Sequence, residues 1–271
     1  MVIVELGPRC NNRCVFCAQA WERDATAPVV ALPEDLRGER VGIVGGEPTI
    51  QPELVSIVAA VRARGAAEVI VQTNGRRLSY GRYVGELLGA GVTGFDVSLQ
   101  GSTGPMHDYH TRVQGSFGQT ARGIRNARGA GVRVVVSTVV TRSNYRHLAE
   151  VVEVARALGA GMVRLRAVKR VGAGHDAWAR LMPRPELARP SVRMAVQAGQ
   201  RLGVPVVALA QGGEPIVDWV GGPEAETGEQ GPRGVELTRA RPARGEDRTG
   251  GARTGEALRD ILPGLFGEEG G

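Results

Sequence analysis

Lysine, aromatic rings and spare thiols are all scarce in this chain. Lys169 is its one lysine among 34 basic residues, aromatics make up 4% of the sequence, and three cysteines occur in 271 residues. Each shortage excludes something. A nucleic-acid surface needs cations clustered on one face, with rings on which bases can stack. Here arginine is spread along the chain, so the net charge of +6 reads as a bias toward Arg, Ala, Gly and Val, of the kind a GC-rich genome produces. No apolar run approaches the roughly 20 residues that span a bilayer. Residues 1–20 lack the apolar stretch and small-residue cleavage site of a signal peptide, and three cysteines make no disulfide framework. The expectation is a cytoplasmic protein with reduced thiols and neither a membrane nor a nucleic acid as partner.

The cysteines that are present stand together. Cys10, Cys14 and Cys17 form C-x3-C-x2-C near the start of the chain. A disulfide would leave one of them over. Zinc prefers four protein ligands, so it would need a distant histidine: His107, His110, His147 or His175. An iron–sulfur cluster is held by thiolates, and three of them leave one iron of a cubane open to a small molecule. The spacing favours the cluster and leaves zinc as its rival.

Hydrophobic patterning describes an α/β chain. Short β-branched runs at residues 2–4, 41–44, 69–71, 95–99, 132–140 and 162–168 alternate with helical periodicity. Leu54, Ile57, Val58 and Val61 repeat at i, i+3, i+4, i+7, with Thr49 as a candidate cap. Ser79 could open the next helix. A long loop is expected over residues 101–116, followed by a helix from Ser116 with Phe117, Ala121 and Ile124 inward. Asn144 could cap a helix carrying Leu148, Val151, Val152, Ala155 and Leu158. Residues 191–202 and 204–210 could add one more unit. Six βα units imply parallel strands with right-handed crossovers, in an open sheet or a barrel, with chemistry at the carboxyl ends of the strands. Residues 1–212 are expected to form this core and 213–271 an extension. Residues 221–256 are rich in Gly, Arg, Glu and Pro and should be disordered, while residues 257–266 could form a short amphipathic helix.

Further short motifs fall at those strand ends. Gly45-Gly46-Glu47-Pro48 follows the second run, Gln72-Thr73-Asn74-Gly75 the third, and Phe95-Asp96-Val97-Ser98-Leu99-Gln100-Gly101 covers the fourth. His107-Asp108 and Gly115-Ser116-Phe117 come next. Together with C-x3-C-x-Φ-C, in which Phe16 is the aromatic, these segments in this order resemble the radical S-adenosylmethionine (radical SAM) superfamily: its cysteine signature, GGEP, TNG, "VSLDG" strand and the "HD…GSF" stretch found in many peptide-modifying members.

The resemblance implies a partial (β/α)6 TIM-like barrel, a [4Fe-4S] cluster on Cys10, Cys14 and Cys17, and reductive cleavage of S-adenosylmethionine to a 5′-deoxyadenosyl radical that abstracts a hydrogen atom from substrate. It implies that Gly45 and Gly46 let backbone approach closely, that Gly46 and Glu47, ahead of Pro48, receive the methionine ammonium, and that Ser98 meets the ribose. Gln100 would join Ser98 where the family often has aspartate. Thr73, Asn74, Thr138 and Arg142 are further candidates around S-adenosylmethionine, and His107 is a candidate proton donor. The partners implied are an electron donor such as flavodoxin or ferredoxin and a substrate that is a peptide or, alternatively, a small-molecule or nucleotide precursor. No cysteines remain for auxiliary clusters. A metal-binding accessory protein without catalysis is the reading from another class.

Overall fold

The computed structural model describes residues 1–22 and 32–209. Seven strands form one sheet: β1 (Val2–Glu5), β2 (Arg40–Val44), β3 (Glu68–Thr73), β4 (Gly94–Ser98), β5 (Arg133–Val140), β6 (Met162–Ala167) and β7 (Val206–Leu209). Every pairing is parallel and joins sequence neighbours, so the order is β1 through β7. β7, preceded by the helix at Pro185–Leu202, is the further unit that the 191–202 and 204–210 patterns allowed beside the six runs.

Parallel neighbours need crossovers, and helices supply them from β2 onward. They are α1 (Leu54–Ala63), α2 (Gly81–Ala90), α3 (Gly104–Thr111), α4 (Ser116–Gly129), α5 (Leu148–Ala157), α6 (Ala173–Asp176), α7 (Trp178–Leu181) and α8 (Pro185–Leu202). Side-chain alternation sorts the two faces of the sheet. On β5, Val134, Val136 and Val140 join Ile124 of α4 and Leu148 and Val151 of α5 in the main apolar core, while Ser137 and Val139 face the opposite side. On that side, residues from the carboxyl ends of β2 to β7 and from the loop after β1 line one cavity. A flat sheet could not surround a common space in this way; the sheet is rolled into a partial barrel.

Several local expectations are corrected. Residues 101–116 are not all loop, because α3 lies within them: the Thr103 side chain accepts from the Met106 N–H and Pro105 sits in the first turn. The Asn144 side chain accepts from no helix N–H; it accepts from the Thr141 N–H (2.8 Å) and donates to the carbonyls of Gln100 (3.1 Å) and Val139 (2.9 Å), tying β4 to β5. Thr49 lies in a 3₁₀ turn, Pro48–Ile50, capped by Glu47, and α1 opens only at Leu54. Ser79 ends a 3₁₀ turn before α2. Helix α8 starts at Pro185 and carries Pro190 inside it, six residues earlier than expected from position 191. The proposed extension from residue 213, with its helix at 257–266, lies outside the described residues.

Candidate functional site

The three cysteines follow β1 at the mouth of the barrel, each half-buried and each on the cavity wall. Their loop is pinned to its neighbours. The Arg13 and Val15 N–H groups donate to the carbonyls of Thr111 and His110 at the end of α3, both at 2.9 Å, and Ala173 N–H of α6 donates to the Cys17 carbonyl at 2.9 Å. Arg76 reaches from the third strand end to the Asn11 carbonyl (2.7 Å) and the Asn12 side-chain oxygen (3.0 Å). Phe16 packs against the small apolar cluster of Val15, Val168 and Leu181, with its ring 6.0 Å from that of His110.

The Gly-Gly-Glu-Pro segment is stitched to that loop. Gly46 N–H donates to the Gly7 carbonyl and Glu47 N–H to the Arg9 carbonyl, each at 2.8 Å. Gly45 has φ +145°, a region side chains avoid, and a Cβ on Gly46 would lie 2.2 Å from the Pro8 oxygen. Only glycines let these two backbones meet. The same N–H groups therefore serve the cysteine loop.

Glu47 is not on the cavity wall. It is 1% exposed, and its carboxylate is a hub for four donors: Thr49 N–H (3.0 Å), the Thr49 and Thr73 hydroxyls (both 2.5 Å) and Asn74 N–H (2.6 Å). Burial pushes its pKa up, and the four hydrogen bonds oppose that rise. Asn74 continues the chain of contacts, donating to the Asn11 side chain at 2.6 Å. The third strand end is thereby locked to both the second and the cysteine loop.

Ser98 and Gln100 lie at the end of β4 on the cavity wall. Gln100 is held at three atoms. Its N–H donates to His107 Nδ1 (3.1 Å), its carbonyl accepts from Asn144, and its side-chain oxygen accepts from the Val139 N–H (2.9 Å). A carboxylate could do the last but would bring charge; the amide also keeps an NH2 group as donor.

His107 is 1% exposed and does not line the cavity. Because Nδ1 accepts a hydrogen bond, the proton sits on Nε2, which is buried without a partner. Burial lowers its pKa from 6.5 to about 3. This argues against the expected proton donor, since the ring is neutral at working pH and out of reach. The depressed value has a consequence for stability. Below pH 6.5 the unfolded chain takes up a proton that the folded protein refuses, so stability falls with pH by up to about 1.4 kcal/mol per unit until about pH 3. Urea unfolding of the metal-free protein at pH 7.5 and 5.5 should show this loss, and His107→Gln should flatten it; equal slopes in both proteins would contradict the assignment.

Asp108 explains the neighbouring motif. Helix α4 opens at Ser116 behind Gly115 at its N-cap position, which has no side chain to cap it. Asp108 caps it from α3, accepting from Gly115 N–H (2.6 Å), Phe117 N–H (2.9 Å) and the Ser116 hydroxyl (2.8 Å). A carboxylate at a helix N-terminus also meets its dipole favourably. Asp108→Ala should lower stability by about 1–2 kcal/mol, read as a shifted denaturation midpoint with unchanged slope.

A second polar group was not foreseen. On the inner face, Asp96 of β4 is 6% exposed and accepts from the Ser137 hydroxyl of β5 (2.5 Å) and from Arg164 (2.7 Å) and Arg166 (3.4 Å) of β6. Burial lowers the pKa of Arg166, with Asp96 opposing. Ser137 and Arg166 also line the cavity, with Lys169 beyond them. A polar layer thus lies under the mouth of the barrel.

The cavity, about 550 Å³, brings together Cys10, Cys14, Cys17, Phe16, Gly45, Gly46, Thr73, Asn74, Ser98 and Gln100. Outside it lie Glu47 and Pro48 just behind the wall, His107, Thr138 and Arg142. Thr138 has the opposite parity to Ser137 and Val139, is fully buried and donates to the Leu99 carbonyl (2.6 Å). Arg142 is exposed and donates to the Ala179 carbonyl (3.0 Å). Among the described residues no three His, Cys, Asp or Glu side chains converge as a single metal ion would need. A cubane makes a different demand, one thiolate on each of three irons, and three half-buried thiols on one cavity wall fit it.

Fold and site together define a class: a partial parallel α/β barrel with a three-cysteine loop at its mouth. The family model for the radical SAM superfamily matches residues 4–155, and the chain belongs to that superfamily, whose enzymes use a [4Fe-4S] cluster and S-adenosylmethionine. A mycofactocin maturase, MftC of Mycobacterium tuberculosis (strain CDC 1551 / Oshkosh), is 30% identical over 207 residues, covering 73% of this chain and 52% of the relative. A probable GTP 3′,8-cyclase of Metallosphaera sedula is 26% identical over 199 residues, covering 70% and 62%. The chain thus spans about half the length of the maturase. Streptococcus suis SuiB, solved bound to precursor peptide SuiA, shares the fold with a TM-score of 0.59 at 15% identity, over 77% of this chain and 48% of SuiB. Among the described residues no helix is long and apolar enough to cross a membrane.

Proposed function

We propose that the chain is a radical SAM enzyme that takes a hydrogen atom from a peptide substrate. One observation carries this reading: the same cavity wall holds the three cysteines, both glycines of the GGEP segment, Ser98 and Gln100. When bound, the cluster and S-adenosylmethionine would supply a 5′-deoxyadenosyl radical. The residues of the chain bind, orient and shield. Cys10, Cys14 and Cys17 would hold the cluster. Gly45 and Gly46 bring backbone to the cavity, and the Ser98 hydroxyl and Gln100 amide would hold ribose hydroxyls. Thr73 and Asn74 on the wall, with Glu47 and Pro48 behind it, set the spacing between strand ends, and Phe16 shields the loop on its inner side. His107 positions Gln100 and moves no proton.

The kinship with a maturase supports a peptide substrate. A nucleotide is the second reading, favoured by a lining that, among the described residues, has two cations, Arg166 and Lys169, and no carboxylate, and by the kinship with a probable cyclase. Incubation without oxygen with S-adenosylmethionine and dithionite should yield 5′-deoxyadenosine and methionine, seen by mass spectrometry. A deuterated substrate peptide should pass its label to the 5′-deoxyadenosine. Absence of both products would sink the assignment, and label transfer from GTP instead would favour the second reading.

A further inference from the structure

One cation stands in an apolar row of the cavity wall. Arg166 of β6 pairs in register with Val139 of β5 on one side and with Leu209 of β7 on the other, and all three line the cavity. Its guanidinium is only partly engaged. Arg164 and Arg166 reach the same oxygen of Asp96, at 2.7 Å and 3.4 Å, so the carboxylate is chiefly the partner of Arg164. Arg166 Nε is buried with no hydrogen-bond partner among the described residues. A buried donor left open is unfavourable, and an oxygen arriving from the cavity would satisfy it.

Lys169 adds a second charge. It follows β6, lines the same cavity, is exposed and has no ion-pair partner among the described residues. Asp96 alone opposes Arg164, Arg166 and Lys169, which leaves the β6 side of the cavity with a surplus of positive charge. The place of the pair sets it apart from the groups assigned to S-adenosylmethionine. Those stand on the cysteine loop and at the ends of β2, β3 and β4, whereas Arg166 and Lys169 stand beyond β5. A guanidinium anchored on Asp96 is also held in orientation, and its fork matches the paired oxygens of a carboxylate or a phosphate.

We infer that Arg166 and Lys169 form an oxyanion subsite that holds a carboxylate or phosphate of the substrate. The inference rests on the proposed function and narrows it: the substrate carries a negative charge, which the subsite uses to orient it in the cavity. Val139 and Leu209 on either side of Arg166 keep water from the pair, and an ion pair is stronger where water is excluded.

Isothermal titration calorimetry on the cluster-loaded protein tests this, with S-adenosylmethionine present and no reductant, so that the open iron is closed to the probes. Acetyl-Glu-Glu-Glu-amide probes for carboxylates, inorganic pyrophosphate for phosphates, and acetyl-Gln-Gln-Gln-amide is the uncharged match. At least one anionic probe should bind at one site per chain, and the glutamine peptide should not. Tighter binding of the glutamate peptide assigns the subsite to an acidic peptide, and tighter binding of pyrophosphate to a phosphate-bearing substrate. Arg166→Gln should weaken binding of the preferred probe at least tenfold, and Lys169→Gln at least threefold. Arg166→Lys, which keeps the charge and loses the fork, should fall between Arg166→Gln and the parent. Arg193→Gln/Arg201→Gln removes two exposed charges on α8 and should leave binding unchanged. Circular dichroism checks the fold of the Arg166 variants, and Lys169→Gln, at an exposed position, carries the test if they do not fold. No binding of either anion to the unaltered protein, unchanged binding in Lys169→Gln or in a folded Arg166→Gln, or an equal loss in the α8 variant would overturn the proposal. So would loss of S-adenosylmethionine binding in Lys169→Gln, read by equilibrium dialysis, which would give the cations to the cofactor. Failure of the unaltered protein to cleave S-adenosylmethionine with dithionite, while an anion still binds, would refute the enzymatic reading separately from the anion site.

Discussion

Cys14→Ala is expected to lose most of its bound iron and to lower production of 5′-deoxyadenosine by about three orders of magnitude, equivalent to about 4 kcal/mol of transition-state stabilisation. The physical basis is the count of thiols. The chain has three cysteines, all on one wall, and no fourth to take the place of a missing ligand. Losing one leaves two irons without protein ligands, and a partly held cluster is readily lost. The fold should survive, because the loop is pinned by backbone hydrogen bonds from Arg13, Val15 and Gly46 rather than by the thiols. Iron analysis beside circular dichroism separates the two effects. A variant that keeps full iron and full cleavage would show that Cys14 is not a ligand.

Asp96→Ala should have the largest effect on stability of any single change at the site. Asp96 is the anion that Arg164 and Arg166 share beneath the cavity, and it also accepts from Ser137. Removing one member of a buried pair leaves the other charge without compensation, at about 3–5 kcal/mol. Both arginines keep some contact with solvent, side chains 25% and 33% exposed, which places the expected loss toward the lower end. In a domain of this size that is a fall in Tm of roughly 10 °C. Asp96→Asn, which keeps the shape but not the charge, should fall between the two. A Tm within 2 °C of the parent for Asp96→Ala would mean that the arginines find another anion or reach water freely.

What could be read from the sequence follows a simple division. The cysteine loop, Gly45-Gly46-Glu47-Pro48 and the end of β4 are contiguous motifs placed after β-branched runs, and order along the chain becomes order around the barrel when strands pair with their neighbours. Thr138 shows where that logic stops. The stretch Val134 to Val140 is apolar on nearly every residue, because a parallel strand is covered on both faces. No alternation remains to tell that Ser137 and Val139, rather than Thr138, face the cavity. The Asp96, Arg164 and Arg166 layer was hidden differently: its members are 68 and 70 residues apart and meet only when β4, β5 and β6 lie side by side. Helix α3 carries its own start signal in the sequence, Thr103 with Pro105 two residues on, inside a stretch otherwise read as loop. His107 and Asp108 share a motif with Gly115-Ser116-Phe117 because one fixes Gln100 and the other caps α4, which a motif match alone does not separate.

The central claim is that Cys10, Cys14 and Cys17 would hold a four-iron cluster whose fourth iron has no ligand from this chain. Electron paramagnetic resonance of the dithionite-reduced, reconstituted protein, with and without S-adenosylmethionine, tests it most directly. About four irons and four sulfides per chain are expected, with a reduced-cluster signal whose g-values shift when S-adenosylmethionine is added. Stoichiometric zinc in place of iron, or a cluster signal that S-adenosylmethionine leaves unchanged, would contradict it.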